Sequence, residues 1–504
     1  MRDKKTERFI FLIAILWYSI TAYFSSGYYH ADEHYQIIEF ARLKSGANLP
    51  ADMPWEFHEQ IRSAIQPAIS FILLKIFNLF SLTNPYSQAF LLRLLTAIIS
   101  VLSISFFCKS CKPMINRNNW NIFYALSFFV WFLPSINVRF SSETYSGLCF
   151  ILAAALVVRN KHSRYHFMLI GTLCGLSFIF RFQMIAVTFG LIMWLIVVQK
   201  EKLLNLLYLL SGFSFILFIG TAIDCWFYNE FVFTPWKYFY ANIIKDVASN
   251  FGTSPWYYYF YYIFRYSFFP IGIMILLAFI VLINKQPKNI FVWIVLPFLI
   301  LHSIIPHKEL RFLFPIINFV PIFLMLAFQE LNSYTNLVKG KKIKKLMYLI
   351  ITTLCFINAA GLLAASIKPA GIGNMKITQE IQKNNNCEST VLISYNGSNP
   401  YDPWNGLIAK FYMKKNCTAI DLGDASNDST QTECTFLVLK MKDLENPVAE
   451  DFIKKQNMEK ISESIPNWIS RILIIYGGFD TQNILVLFKK KAGQQKKSNG
   501  IEVY

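Results

Sequence analysis

The chain has 504 residues, of which 55% are hydrophobic, 17% aromatic and only 15% charged. A soluble domain averages about 25% charged residues, and the apolar residues here gather into runs long enough to cross a bilayer, which excludes a soluble globular protein. A net charge of +18 would point to nucleic acid in a soluble chain, but in a membrane protein basic residues collect in cytoplasmic turns, so no nucleic-acid partner is expected.

In chain order, helical runs fall near 9–25, 88–107, 120–136, 143–158, 165–180, 182–198, 203–223, 258–282, 289–305, 312–330 and 346–366. The expected fold is a polytopic α-helical membrane protein with about eleven transmembrane helices. The first run offers no small-x-small cleavage site between Tyr18 and Ser26 and reads as an uncleaved span. A shorter apolar run at 66–80, behind Pro67, reads as a span, a re-entrant segment or an interfacial one, and the charge pattern below takes it as not crossing. With the N-terminus cytoplasmic, one set of turns carries Arg2, Lys4, Lys5 and Arg8, then Lys109, Lys112 and Arg117, then Arg159, Lys161 and Arg164. The same side carries Lys200 and Lys202, Lys285 and Lys288, and five lysines between Lys339 and Lys345. That is the positive-inside pattern.

The unusual polar stretches then share the opposite, extracytoplasmic face. They are "HADEHYQ" (30–36), "RFSSETYSG" (139–147), "FRFQ" (180–183), "DCWFYNEFVFTPWKYFY" (224–240), "SNFGTSPWYYYF" (249–260) and "HKELRF" (307–312). Polar loops remote in sequence but gathered on one side describe a membrane-embedded site. After about residue 370 the apolar runs shorten and polar residues rise. "TVLISYN" (390–396), "CTFLVLKMK" (434–442) and "ILIIYGGFDTQNILVLFKK" (472–490) read as strands, the last as a hairpin around Gly477 to Asn483. The expected organisation is a transmembrane catalytic domain over 1–368, with a first outer loop at 26–87, and a small extracytoplasmic α/β domain over 369–504. Cys387, Cys417 and Cys434 fall in the latter and allow one disulfide. Asn396, Asn416 and Asn427 head N-x-S/T triplets there, which matter only in a eukaryotic secretory lumen. "CKSC" at 108–111 has no second pair and no nearby His, and reads as two cysteines at a helix end.

Four ionisable residues, His30, Asp32, Glu33 and His34, open the first outer loop. The two histidines at helical spacing are compatible with a metal site, but no third ligand is evident and no metal is expected. A solvated loop is the plainer reading, and a carboxylate at the water–lipid boundary acting as general base the sharper one. "PHKELRFLFP" (306–315) sets His307, Lys308 and Arg311 before a membrane helix. Snorkelling explains one cation at a span end; three together suit a phosphate, which Arg grips bidentately. Arg139 and Glu143 read equally well as an ion pair or as substrate contacts. Arg181, between two apolar runs, needs an anionic partner or a polar cavity.

"HADEHYQIIEFA", "PWEFHEQIRSAIQP" (54–67), "FRFQ", "FGTSPWYYYF" and above all "HKELRFLFP" resemble the family 22 glycosyltransferases, the Alg9-like mannosyltransferases of the GT-C class, over roughly residues 1–330. Ala31 stands where the family has proline, Phe57 where it has a second tryptophan, and "FRFQ" where R-P-T is usual. The resemblance implies a GT-C fold and a one-step inverting transfer of mannose or a related hexose, from a polyprenyl- or dolichyl-phosphate sugar to a lipid-linked glycan. No nucleotide or other cofactor is implied. Asp32 is expected as the base and Glu33 as its helper or substitute. His307, Lys308 and Arg311 are expected on the donor phosphate, and His30, Gln36, Glu56, Arg62 and Arg181 on the acceptor and substrate. The expected partners are the lipid donor, the lipid-linked acceptor and membrane lipids, with the chain a monomer in a bacterial inner membrane or the endoplasmic reticulum. The alternative class is a transporter or flippase of lipid-linked glycans, which predicts internal repeats and charges within helices.

Overall fold

The computed structural model describes residues 2–491 apart from 160–162, 336–340, 372, 403–405, 425–433 and 477–479. It divides into two compact units, Met1–Lys368 and Pro369–Tyr504.

The first unit is helical. Among the described residues, six helices are long and apolar enough to cross a bilayer: Lys4–Phe24, Pro85–Met114, Ser142–Arg159, Leu203–Tyr228, Leu310–Asn332 and Leu349–Ile367. A seventh span results if Phe269–Lys285 and Ile290–Ile304, which meet at a 119° bend, count as one. The eleven apolar runs are thus largely helical, but length and composition qualify only six or seven as spans. Arg164–Phe180 and Ile185–Val197 have 17 and 13 residues, against about 20 for a full crossing. The run at 120–136 is divided. Helix Trp120–Phe129 stops where the Asn358 amide accepts a hydrogen bond from Trp131 N–H at 2.9 Å and donates one to Phe129 C=O at 2.7 Å. That amide satisfies the backbone groups released by the break, as the interior of a membrane protein requires.

Helices Arg164–Phe180 and Leu203–Tyr228 cross backbone to backbone. A Cβ on Gly171 would lie 1.8 Å from Leu209 O, and one on Gly212 2.1 Å from Met168 O. Small residues at such crossings let dispersion and backbone contact replace the hydrophobic drive that lipid does not supply. Aromatic packing fills the space between other spans, with Phe107 edge-on to Phe291 and Phe319 at 5.7 Å each.

The second unit holds a five-stranded sheet of β1 (Thr390–Ser394), β2 (Cys417–Asp421), β3 (Cys434–Lys440), β4 (Met458–Glu463) and β5 (Leu485–Lys490), in the order β2-β1-β3-β5-β4. β1 runs parallel to β2 and β3, and β5 antiparallel to β3 and β4. Ile393, Leu437, Leu439 and Val486 form its buried core. Cys387 and Cys434 are disulfide-bonded, and Cys417 is free and buried.

The expected hairpin at 472–490 is half right. β5 is its second strand, but residues 467–476 form a helix, in which Ile469 and Leu473, four apart, are buried and Ile474 and Ile475 exposed. A short apolar run is ambiguous between strand and helix by periodicity alone. The expected turn residues at 477–479, and Asn427, lie outside the described residues.

Candidate active site

The first span ends at Phe24, and the chain turns through a short helix, Ala31–His34, capped by the His30 ring, whose Nδ1 accepts from Asp32 N–H at 3.3 Å. This turn aims the Asp32 carboxylate into the protein. Arg311 Nη1 donates to Asp32 Oδ2 at 2.7 Å and Arg62 Nη2 to the same oxygen at 3.3 Å. His30 Nδ1 lies 3.3 Å from Oδ1. Burial pushes the Asp32 carboxyl up, but Arg311, the His30 hydrogen bond and Arg62 outweigh it and hold the group well below the usual carboxylate range.

Arg311 stands in a 3-10 segment, Leu310–Phe319, that opens the span after the "HKEL" turn. Its fork grips Glu309, Nε to Oε2 at 2.6 Å and Nη2 to Oε1 at 3.0 Å, and its Nη1 lies 3.5 Å from Glu143 Oε1. Glu143 also accepts from Arg181. The close approach of the Glu143 helix depends on Gly147, one turn further on, where a Cβ would lie 2.6 Å from Pro315 O. Three guanidiniums, Arg62, Arg181 and Arg311, and two carboxylates, Asp32 and Glu143, from five distant segments thus meet in one linked cluster.

Around it, the Tyr35–Glu39 turn is a π-helix, a form that appears often at functional sites. It carries Gln36, whose amide donates to Glu56 Oε1 at 2.9 Å, while Arg62 Nη2 lies 3.7 Å from the same oxygen. Burial and then the nearby Asp32 push the Glu56 carboxyl up. Buried Asp224 fixes the Arg62 loop by accepting from Ala64 N–H at 2.6 Å, Ser63 Oγ at 3.2 Å and Thr234 Oγ1 at 2.6 Å. Two cavities flank Arg181 and Gln183, of about 430 and 220 Å³. Arg62, Gln36 and Gln66 line the larger, and Glu143 and Phe312 the smaller.

Several sequence assignments change. Glu33 does not join Asp32. It receives Arg139, which also donates to Ser25 O and Gly27 O, so it anchors the loop to the end of the first span. Arg139 and Glu143 do not pair with each other. The ammonium of Lys308 is taken up by the carbonyls of Ile305 at 2.6 Å and Ser254 at 3.0 Å, and burial lowers its proton affinity. His307 sits between Gly252 O at 2.9 Å and Glu309 Oε1 at 3.0 Å, and the bond to Glu309 raises its proton affinity. Burial pushes the Glu309 carboxyl up, but His307 and Arg311 together hold it well below the usual range. Of the three cations expected on a phosphate, only Arg311 faces Asp32. His34 is buried against Glu39, Nε2 to Oε1 at 2.9 Å, so the two histidines of the opening stretch do not share a ligand. Glu309 and Gln66 carried no assigned role in the sequence.

Glu33→Gln should therefore act on stability. Removing one partner of a buried ion pair costs about 3–5 kcal/mol, less here because Arg139 keeps its carbonyl acceptors. A lower melting temperature with near-normal turnover per folded molecule is expected from thermal melts paired with active-fraction counts.

Known proteins resemble this chain in sequence and in fold. GPI alpha-1,2-mannosyltransferase 3 of Danio rerio is 24% identical over 319 residues, covering 61% of this chain and 57% of that protein. Mannosyltransferase APTG1 of Arabidopsis thaliana is 23% identical over 359 residues, covering 68% and 63%, and GPI mannosyltransferase 3 of Candida albicans is 26% identical over 290 residues, covering 57% of each. The chain thus spans somewhat over half the length of these relatives. Among solved structures, ArnT from Cupriavidus metallidurans bound to undecaprenyl phosphate superposes with a TM-score of 0.52 at 11% identity, over 96% of this chain and 97% of that one. Its apo form gives 0.54 at 10% identity, over 98% and 99%. At that identity the likeness concerns the fold, which is of the GT-C type. The sequence of the Alg9-like mannosyltransferase family matches from residue 9 to residue 395, through every segment of the Asp32 cluster, and the chain belongs to that family.

Proposed function

We propose that this chain is an inverting hexosyltransferase that moves mannose, or a closely related hexose, from a polyprenyl or dolichyl phosphate to a lipid-linked glycan on the extracytoplasmic side of its membrane. The observation that carries the reading is the Asp32 carboxylate, buried and held between Arg311 and Arg62 beside a polar cavity. In one step the acceptor hydroxyl oxygen bonds to the anomeric carbon while the bond from that carbon to the phosphate oxygen breaks. The electron pair leaves with the phosphate, and the hydroxyl proton passes to Asp32. A single base suffices for inversion.

Charge explains the guanidiniums. Before donor binds, Arg311 and Arg62 hold Asp32 ionised, and so keep it a weak base. An incoming phosphate competes for the same N–H groups, and as those pairs relax, the proton affinity of Asp32 rises beside the acceptor. Fixed cations aimed at the departing phosphate stabilise charge as it develops, which is usually what lowers the barrier most in such reactions. The positive-inside pattern of the short basic turns supports the extracytoplasmic side: with every helical run of the sequence crossing, it leaves the loops of Asp32, Arg62, Arg139, Arg181 and Arg311 opposite the cytoplasm. The relatives' names point to a mannose-bearing glycolipid as acceptor class.

Comparing lipid-linked glycans from cells with and without the gene tests this. The expected difference is a glycolipid shorter by one hexose in the deletion strain, restored by the wild-type chain and not by Asp32→Asn. Identical glycolipid masses in both strains contradict the reading.

A further inference from the structure

The larger cavity has the chemistry of a sugar phosphate site. Its polar wall is made by Arg62 and Arg181 and by three amides, Gln36, Gln66 and Gln183, and its apolar wall includes Phe180. Gln183 donates to Tyr238 Oη and Gln36 to Glu56, so two of the amides are oriented by protein partners. Gln66 is not. It is 3% exposed, and neither its Oε1 nor its Nε2 has a hydrogen-bond partner among the described residues. Arg62 Nε and Arg181 Nε are likewise buried without one. Buried polar groups are nearly always satisfied, and each exception asks for an explanation. Four orphaned atoms on residues lining one cavity are explained together by a polar ligand that fills it.

The ligand's chemistry follows from the donors. A carboxamide offers one acceptor and two N–H donors, the complement of a sugar hydroxyl, which both gives and accepts. Two guanidiniums match a phosphate. A lipid tail would leave all four atoms unsatisfied, and the reacting end of a glycan acceptor carries no anion to meet the two arginines. Arg62 lines this cavity and reaches Asp32 Oδ2 at 3.3 Å, so a sugar phosphate held here lies next to the base.

We propose that this cavity holds the hexosyl phosphate end of the donor, and that Gln66 reads a hydroxyl of the transferred sugar. Arg62 and Arg181, expected on the acceptor side from sequence, then belong to the donor. The inference rests on the transfer reading above and adds the place and the specificity residue.

The test is Gln66→Met in the full chain, purified and reconstituted in lipid vesicles. Met keeps the volume and removes both hydrogen-bonding atoms, so without donor the variant should melt at the same temperature as wild type or higher. With polyprenyl-phosphate mannose its kcat/KM should fall about tenfold or more, with the KM for acceptor unchanged. Against a panel of donors, each lacking one hydroxyl of the mannose, wild type should lose the same factor for one member, and Gln66→Met should lose nothing further on that member. A lower melting temperature with equal losses on every donor would make Gln66 structural and overturn the proposal, as would an unchanged kcat/KM. If wild type transfers from no polyprenyl-phosphate hexose, the transfer reading itself has failed. Donor binding then decides separately, by whether polyprenyl-phosphate mannose raises the melting temperature of wild type more than that of Gln66→Met.

Discussion

Asp32→Asn should abolish most transfer while leaving donor binding intact or tighter. The amide keeps the shape of the side chain and its place behind the His30 cap but cannot take a proton. General-base catalysis contributes about 10²–10⁴-fold, so the rate at saturating substrates should fall by that order. The sign of the binding effect comes from geometry. Asp32 Oδ2 occupies Arg311 at 2.7 Å and Arg62 at 3.3 Å, and a neutral amide competes less with an incoming phosphate for both. The donor KM should therefore hold or drop. His30→Ala should lose less, since it removes a cap and one hydrogen bond but not the base. Rates and donor affinities measured on vesicles for the two variants separate these effects. A donor affinity that collapses with Asp32→Asn would show the carboxylate holding the site together instead of serving as base.

Arg311→Lys should cost nearly as much for a different reason. The lysine keeps the charge but loses the planar fork that spans both oxygens of Glu309 and reaches Asp32 with a third nitrogen. An ammonium cannot make those contacts at once. Removing one preorganised group that stabilises developing charge costs about 10²–10³ in turnover. The loss should appear in turnover and in the donor KM, because in the proposed mechanism Arg311 meets the departing phosphate, and its 2.7 Å contact sets the position of Asp32. Lys308→Gln should cost far less, since that ammonium already points into backbone carbonyls. Equal losses from the two variants would return the site to a diffuse cationic patch.

The parts of this site that are legible in sequence are those whose chemistry stands out locally. An acid at the mouth of a span, an arginine between two apolar runs and a His-Lys-Glu-Leu-Arg-Phe stretch before a helix all break the apolar pattern. What sequence does not display is pairing. Glu309 sits among the cations of that stretch, yet only the folded backbone shows that it takes the fork of Arg311 and the ring of His307, leaving a balanced cluster where sequence suggests a positive one. Glu33 and Arg139 lie over a hundred residues apart, and no spacing rule joins them. Gln66 looks like an ordinary polar residue before Pro67 until its cavity is formed. The fold divides in the same way. The change of composition near residue 370 coincides with the division at Lys368 and Pro369. The breaks within apolar runs do not show, because they depend on groups such as the Asn358 amide, which is supplied by another helix. Hydropathy therefore shows the apolar run at 120–136 without its break at Val130.

The central claim is one-step transfer with inversion from a polyprenyl phosphate. It is tested most directly by supplying purified chain in vesicles with β-linked polyprenyl-phosphate mannose and a mannose-bearing lipid-linked glycan, then determining the anomeric configuration of the new linkage. The account predicts an α-linked mannose, with one polyprenyl phosphate released for each sugar transferred. A β-linked product, or transfer that proceeds only from a nucleotide sugar, would contradict it.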